Sequence, residues 1–367
     1  MKKLLLLATL FLVLSGIQAQ NRNNTVQSGD QNKAAIEQSG RNNTANQVQS
    51  GDRNQAVIKQ TQAQGNTINL KQSGDDNAAA ISQTSGAKNN LVNVNQAGDK
   101  NKVTSVQAGA QGNKTNLNQA GNANTISVSQ LGAGVRGNEI NVSQAGDKNT
   151  AGVSQSGNVV NNKINVSQAG DLNKTTVNQS GDISGNRINI GQAGDRNTAT
   201  VSQSVSAQGN QINISQGGDQ NSAAVGQTRT KNTIVNISQD GDLNAAKVTQ
   251  SQATSTVVDI NQSGDRNAAD VTQTKTSASK VYIEQSGNKN QVGVLQENTT
   301  QSSAVIVQPG NSNTATAVQS GAKLSSTVIK QSGNFNSAKT YQTGVNNQSN
   351  ILQSGNKNQV IVKQTGN

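Results

Sequence analysis

Asn162-Lys-Ile164-Asn-Val166-Ser-Gln168, then Ala-Gly170-Asp-Leu172, then Asn173-Lys-Thr175-Thr-Val177-Asn-Gln179: this stretch decides the fold. Each seven-residue half has period two, so Asn, the two central residues and Gln share one face while the others face away. Between the halves stand four residues with a glycine second, enough for a sharp reversal. The frame Asn-x-Φ-x-Φ-x-Gln, with Φ usually Ala, Val, Ile or Leu, recurs 30 times from Asn21–Gln27 to Asn358–Gln364. A period repeated so often makes the chain an array of near-identical strands.

Gln-to-Gln spacing alternates. One interval is always 11, as in Gln144–Gln155; the other runs from 11 to 14, as in Gln130–Gln144. The true repeat is therefore a pair of strands, present 15 times. The arc from first to second strand always reads Gln-x-Gly-x-x-Asn, which singles out Gly74, Gly98, Gly121, Gly146, Gly170, Gly194, Gly218, Gly241 and Gly264 as tight-arc glycines. After the second strand the matching glycine stands in only 8 of 15 places. The return arc thus reads as looser and more tolerant.

The inward slots differ between the two strand sets. First strands open with branched residues (Ile140, Ile164, Ile188, Ile212), second strands with alanine (Ala151, Ala199, Ala223, Ala246). Folding the two strands back on one another sets small partly against large, as facing sheets require. The same fold-back brings the Asn of one strand level with the Gln of the other. If turns stack in register, like amides lie about 4.7–4.8 Å apart and can bond along the stack. The expected ladder residues include Asn77, Gln83, Asn101, Gln107, Asn138, Gln144, Asn149, Gln155, Asn162 and Gln168. They continue through Asn173, Gln179, Asn197, Gln203, Asn221, Gln227, Asn267 and Gln273. An outward column (Asn69, Asn93, Asn116, Asn141, Asn165, Asn189, Asn213, Asn236) reads as a solvent-facing ladder. Asn23, Thr25 and Gln47 fill apolar slots, so the N-terminal rungs should pack less well.

Together these features predict an all-β fold: a parallel, in-register, amyloid-like β-solenoid of two facing sheets, with two strands per rung and about 15 rungs. Composition agrees. Apolar residues are 31% and aromatics 1%, too few to fill a conventional close-packed core. Met1–Ala19 reads as a cleaved secretory signal, with Lys2 and Lys3 ahead of the apolar run Leu4–Leu14. Residues 20–367 then form a single repeat domain with no membrane span. Cysteine and histidine are absent, so disulfides and the usual nucleophilic and acid–base groupings lack their members. No cofactor and no metal site is implied; Gly-Asp-x-Asn turns offer one carboxylate each, a poor calcium cage. Net charge is +11, or +9 without Lys2 and Lys3, but it is scattered over turns and lacks interleaved aromatics, which speaks against specific nucleic-acid binding.

Gln144-Ala-Gly146-Asp-Lys-Asn149-Thr-Ala151-Gly-Val-Ser-Gln155 and Gln262-Ser-Gly264-Asp-Arg-Asn267-Ala-Ala269-Asp-Val-Thr-Gln273 resemble the curlin repeat, the Gln-x-Gly-x-Gly-Asn-x-Ala-x3-Gln unit of the family of the curli major subunit. The strand-opening Ser of that family is usually Asn here, and its second arc glycine is usually replaced. The resemblance implies a subunit secreted through the periplasm that polymerises at the bacterial cell surface into extracellular functional amyloid for biofilm and adhesion. It also implies a nucleator subunit and an outer-membrane secretion apparatus as partners. The residues point independently to self-assembly, because uncapped solenoid ends expose unpaired strand edges. The alternative is a monomeric solenoid acting as a surface-binding protein of the adhesin or ice-binding type.

Overall fold

The computed structural model describes residues 20–366; the expected signal segment, Met1–Ala19, lies outside them. Thirty strands form two 15-stranded sheets, with odd strands β1(Arg22–Ser28) to β29(Gln348–Gln353) in one and even strands β2(Lys33–Arg41) to β30(Gln359–Thr365) in the other. Every pairing is parallel, between a strand and its counterpart one turn on. Register keeps like on like: in β11(Glu139–Ala145) and β13(Lys163–Ala169), Ile140 pairs Ile164, Val142 pairs Val166 and Gln144 pairs Gln168. At the usual strand spacing, 15 turns make a rod about 70 Å long.

The core is a single axial file of the two Φ slots, from Ala45 and Ala56 to Ala338 and Ile351, nearly all fully buried. It is one side chain deep on each sheet, which is why 31% apolar residues suffice.

The tight arcs explain the invariant glycine. Gly170 has φ +90, and a Cβ there would run into the carbonyl oxygen of Gly194 in the next turn. The residue just before each second-strand Asn also lies in the left-handed region, although it is never Gly or Asn: Lys148 (φ 57), Leu172 (φ 59), Arg196 (φ 57). This is the position at which the resembled family carries its second glycine. A side chain there costs roughly 1 kcal/mol of backbone strain, which stacked backbone bonds from turn to turn offset, such as Leu172 N–H to Asp147 O at 2.9 Å.

The return arcs are more ordered than their variable spacing suggests. Arc residues pair in parallel from Gln64 to Lys88, Gln111, Arg136 and Val160, and again from Lys231 through Thr254, Ser277 and Thr300 to Lys323. Inward from this third ladder, Ala110, Val135, Val159, Ile183 and Ala207 build a small second core. Length differences are absorbed as local register shifts, for example between Ser204 and Ala207. The expectation of a loose arc is therefore corrected. One inward residue, apolar or threonine as at Thr230, Thr276 and Thr299, and one bridge are enough to align arcs of unequal length.

The N-terminal rungs are the less well packed. Asn23, Thr25 and Ala34 are exposed, and fully buried Gln47 leaves both side-chain polar atoms without a partner. An orphaned buried amide costs about 1–3 kcal/mol.

Gly170→Ala and Gly185→Ala separate strain from collision. At Gly185 (φ +63) a Cβ meets nothing within 4 Å. In urea unfolding, Gly185→Ala should lose about 1 kcal/mol and Gly170→Ala distinctly more, since its neighbour is backbone and cannot yield.

Candidate functional site

The most regular side-chain array in this fold runs along the stacking axis. Its strongest element is glutamine. In the odd sheet, Nε2 of Gln144 donates to Oε1 of Gln168 (2.8 Å), and Gln168 to Gln192 (2.8 Å). In the even sheet Gln155 donates to Gln179 and Gln179 to Gln203, both at 2.7 Å. The even chain runs unbroken from Gln38 to Gln364, through Gln83, Gln107, Gln227 and Gln273. The odd chain is equally continuous from Gln27 to Gln353. All of these bonds point the same way, donor toward the C-terminal neighbour. In the odd sheet a second Nε2 hydrogen reaches across the core, as from Gln144 to the Thr125 carbonyl at 3.2 Å. One side chain thereby bonds along its own sheet and between sheets.

Asparagine works differently. Oδ1 of Asn149 accepts the backbone N–H of Asn173 (2.9 Å), while its Nδ2 donates to Ala145 O (3.2 Å) and to Gly170 O (2.7 Å). Asn173, Asn197, Asn221 and Asn267 repeat this pattern one turn at a time. So do Asn77 and Asn101. Each Asn is thus a staple holding its own arc to the glycine carbonyl of the next, rather than a rung of a pure side-chain ladder. Side-chain to side-chain bonds survive at some places, such as Asn77 to Asn54 at 3.1 Å. In the odd sheet Asn138 and Asn162 staple the return arc instead, to Val159 O and Ile183 O, the inward residues of the second core. Where the odd sheet turns to hydroxyls the staple is kept only in part: Ser302 reaches Ala322 O at 3.1 Å, whereas Thr233 donates to Oδ1 of Asn210.

Two further columns run outside. Asn46, Asn69, Asn93, Asn116, Asn141, Asn165, Asn189, Asn213 and Asn236 pass a bond along the odd sheet, ending on Asp259. The arc aspartates form another column. Asp171 accepts the Asp147 N–H at 2.7 Å and Asp195 the Asp171 N–H at 2.8 Å, so each carboxylate caps the arc of the preceding turn. Asparagine takes the same role at Asn122, Asn288 and Asn311. Among the described residues, three surface ion pairs join neighbouring turns: Arg53–Asp76, Lys163–Glu139 and Lys59–Glu37. The hydrogen bond from Arg53 holds the Asp76 carboxyl below its ordinary range, and that from Lys163 does the same to Glu139. In solvent such pairs add little.

The staple role of Asn was not read from the sequence. The signal was present: glycine in the tight arc and Asn in the even strand both recur in all 15 turns, and the Asn amide bonds the carbonyl of the next turn's arc glycine.

The curlin associated repeat family matches residues 48–74, 136–158 and 258–287, each including a tight arc and all or most of the even strand that follows it. The chain therefore carries curlin repeats in those segments, and the intervening turns share their geometry. The match is to the repeat rather than to any one curli subunit. Repeat and solenoid are both structural in kind. No curated protein matches the chain.

Paired substitutions distinguish the columns. Gln155→Glu with Gln179→Glu places adjacent buried carboxylates where each needs a donor, and should cost at least 3 kcal/mol in denaturant titration. Asp171→Asn with Asp195→Asn keeps the arc acceptors and removes like charges from adjacent turns. It should leave stability unchanged or raise it, by up to about 1 kcal/mol.

Proposed function

We propose that the protein is a secreted structural subunit that polymerises head to tail into extracellular, curli-like functional amyloid fibres supporting biofilm matrix and adhesion. The observation that carries this reading is the uninterrupted in-register stack with half-paired end turns. Among the described residues, β1 and β2 at one end, and β29 and β30 at the other, have one strand neighbour each. Each end therefore exposes a row of backbone donors and acceptors. A contact between unlike ends does not close on itself and so continues into a filament. The curlin repeat supports the same assignment.

Cleavage after Ala19, passage through the periplasm and an outer-membrane secretion apparatus, and a nucleating subunit complete the proposal; they rest on the sequence of residues 1–19 and on the repeat resemblance. The chain's role is mechanical, with no catalytic step.

Residues 20–367, purified without other components, should form unbranched fibres with a meridional reflection at about 4.7–4.8 Å. A population that stays monomeric at high concentration through prolonged incubation overturns the reading in favour of a monomeric surface binder.

A further inference from the structure

We propose that rods pair side by side through the outer face of the odd sheet, two copies of like polarity being related by a two-fold axis along the rod. The inference rests on the polymer reading above but concerns the flank of the rod rather than its ends.

That face has a tall half and a low half. In β11, β13, β15(Arg187–Ala193), β17(Gln211–Gln216) and β19(Ile234–Asp240) the outward residues stand in four columns. The first column is mostly long, as at Lys163 and Arg187, and the second is asparagine throughout, from Asn141 to Asn236. The third is only serine or glycine (Ser143, Ser167, Gly191, Ser215, Ser238), and the fourth is alanine at Ala145, Ala169 and Ala193. A shallow groove follows the low side of the asparagine column past all five turns. The even sheet has no such step. In its matching columns Gly152 precedes Ser154, Thr176 precedes Asn178, and Ala224 precedes Gly226, so neither column stays taller.

The step selects the symmetry. Two such faces can meet by rotation about an axis along the strands or about one along the rod. The first sets Asn on Asn and Ser on Ser, which collides on one side and leaves a gap on the other. The second reverses strand direction across the contact. Asn165 of one copy then lies over Ser167 of the other, and Lys163 over Ala169. Tall meets low on both sides of the axis, in a self-complementary contact. Both copies also share one turn-to-turn spacing, so the match does not drift along the rod.

Hydrogen bonding and charge agree with this arrangement. Asn141 donates to Asn165 at 2.9 Å and Asn165 to Asn189 at 2.8 Å. Each amide thereby uses one N–H and one oxygen lone pair and keeps another of each. Across the contact these face exposed serine hydroxyls, as at Ser143, Ser167 and Ser215. Beyond the low edge lies the column of arc aspartates. Lys163, laid over Ala169 of the second copy, extends toward its Asp171, and Arg187, over Ala193, toward its Asp195. Their stems cover the alanines while the charged heads stay at the wet margin. The acid in the basic column, Glu139, is already held by Lys163 at 2.9 Å.

The matching surface is bounded. In β23(Lys280–Ser286), Tyr282 and Glu284 fill both central columns, and the Tyr282 hydroxyl donates to Glu284 at 2.9 Å, so tall would meet tall. Toward the N-terminus the low column holds Asn118, Asn95 and Lys71. The five turns between cover about 24 Å of rod by about 23 Å of strand. Pairing them hides about 1,100 Å² in total, below the usual range for a stable pair. A lone subunit is therefore held weakly. A fibre repeats the patch in every copy, and the contacts then act together. Pairing follows polymerisation rather than preceding it.

Fibres of residues 20–367 are grown and their mass per length is measured by scanning transmission electron microscopy of unstained specimens. Twice the value of a single stack is expected. Single-stack or scattered values overturn the pairing and leave polymerisation standing, whereas absence of fibres overturns the polymer reading itself. Ser143→Asn, Ser167→Asn and Ser215→Asn together raise the low column with a residue it already holds at Asn118 and Asn261. Fibres of this variant should show a twofold lower mass per length at an unchanged elongation rate; doubled fibres overturn the assigned face. The axis is read in the cysteine-free chain by mixing Asn165→Cys copies with Ser167→Cys copies, growing fibres and adding a short thiol cross-linker. Covalent dimers should form in higher yield from the mixture than from either variant alone. A yield no higher than that of Asn165→Cys alone overturns the two-fold axis along the rod.

Discussion

Register is the constraint on which everything else depends. A buried amide is tolerable only when its donors and acceptor are met. In this protein the partner of each strand-closing glutamine is the same glutamine one turn away. That solution exists only if successive turns align to the residue. Once they do, the backbone bridges, the Gln ladders, the Asn staples and the Asp caps are all satisfied together. No turn is self-sufficient: a single strand–arc–strand unit would leave its inward amides unpaired and its two Φ slots half exposed. Stability therefore arises between turns rather than within them, as in other stacked repeats.

Two kinds of information differ in how legible they are. The strand pattern, the pairing of strands into turns and the place of the tight glycine can be read because each depends on local spacing. Period two assigns faces, and an 11-residue interval leaves room for one strand and one sharp arc. What hydrogen bonds each inward amide makes is not local. Asn149 and Gln155 look alike as inward amides, but Asn149 has one methylene fewer and sits beside the arc, so its amide reaches the Gly170 carbonyl of the next turn. Gln155 sits at the strand's far end and reaches only its own kind. The return arc was misjudged for a related reason. Its length varies, but its ordering depends on one inward side chain, Val159 or Ile183, whose spacing from the preceding Gln is easily lost among insertions.

The charges follow from the same logic. An aspartate in the arc accepts the backbone N–H of the preceding turn, an acceptor role that needs no charge, as Asn122 shows in the same column. Aspartate nevertheless occupies most of the early arcs, and its carboxylates stand one strand spacing apart. Repulsion along that column opposes stacking without removing the bond that directs it. Lysine and arginine in the adjacent left-handed position, as at Lys148 and Arg196, moderate it. Like charges are thus kept where water screens them and excluded from the amide file.

Polarity of the ladders gives the rod a direction that its sheets alone would not impose. Parallel strands already distinguish the two ends, but backbone edges accept slipped partners as readily as aligned ones. The glutamine file does not, because a slipped amide faces an aliphatic side chain and loses its acceptor. The quality of a stack is therefore set by its amides, and its weakest plane lies where they are least well backed. Asn23, Thr25 and the orphaned Gln47 place that plane at the N-terminal turns. Within a filament built of such rods, the interior of each subunit is the strong segment.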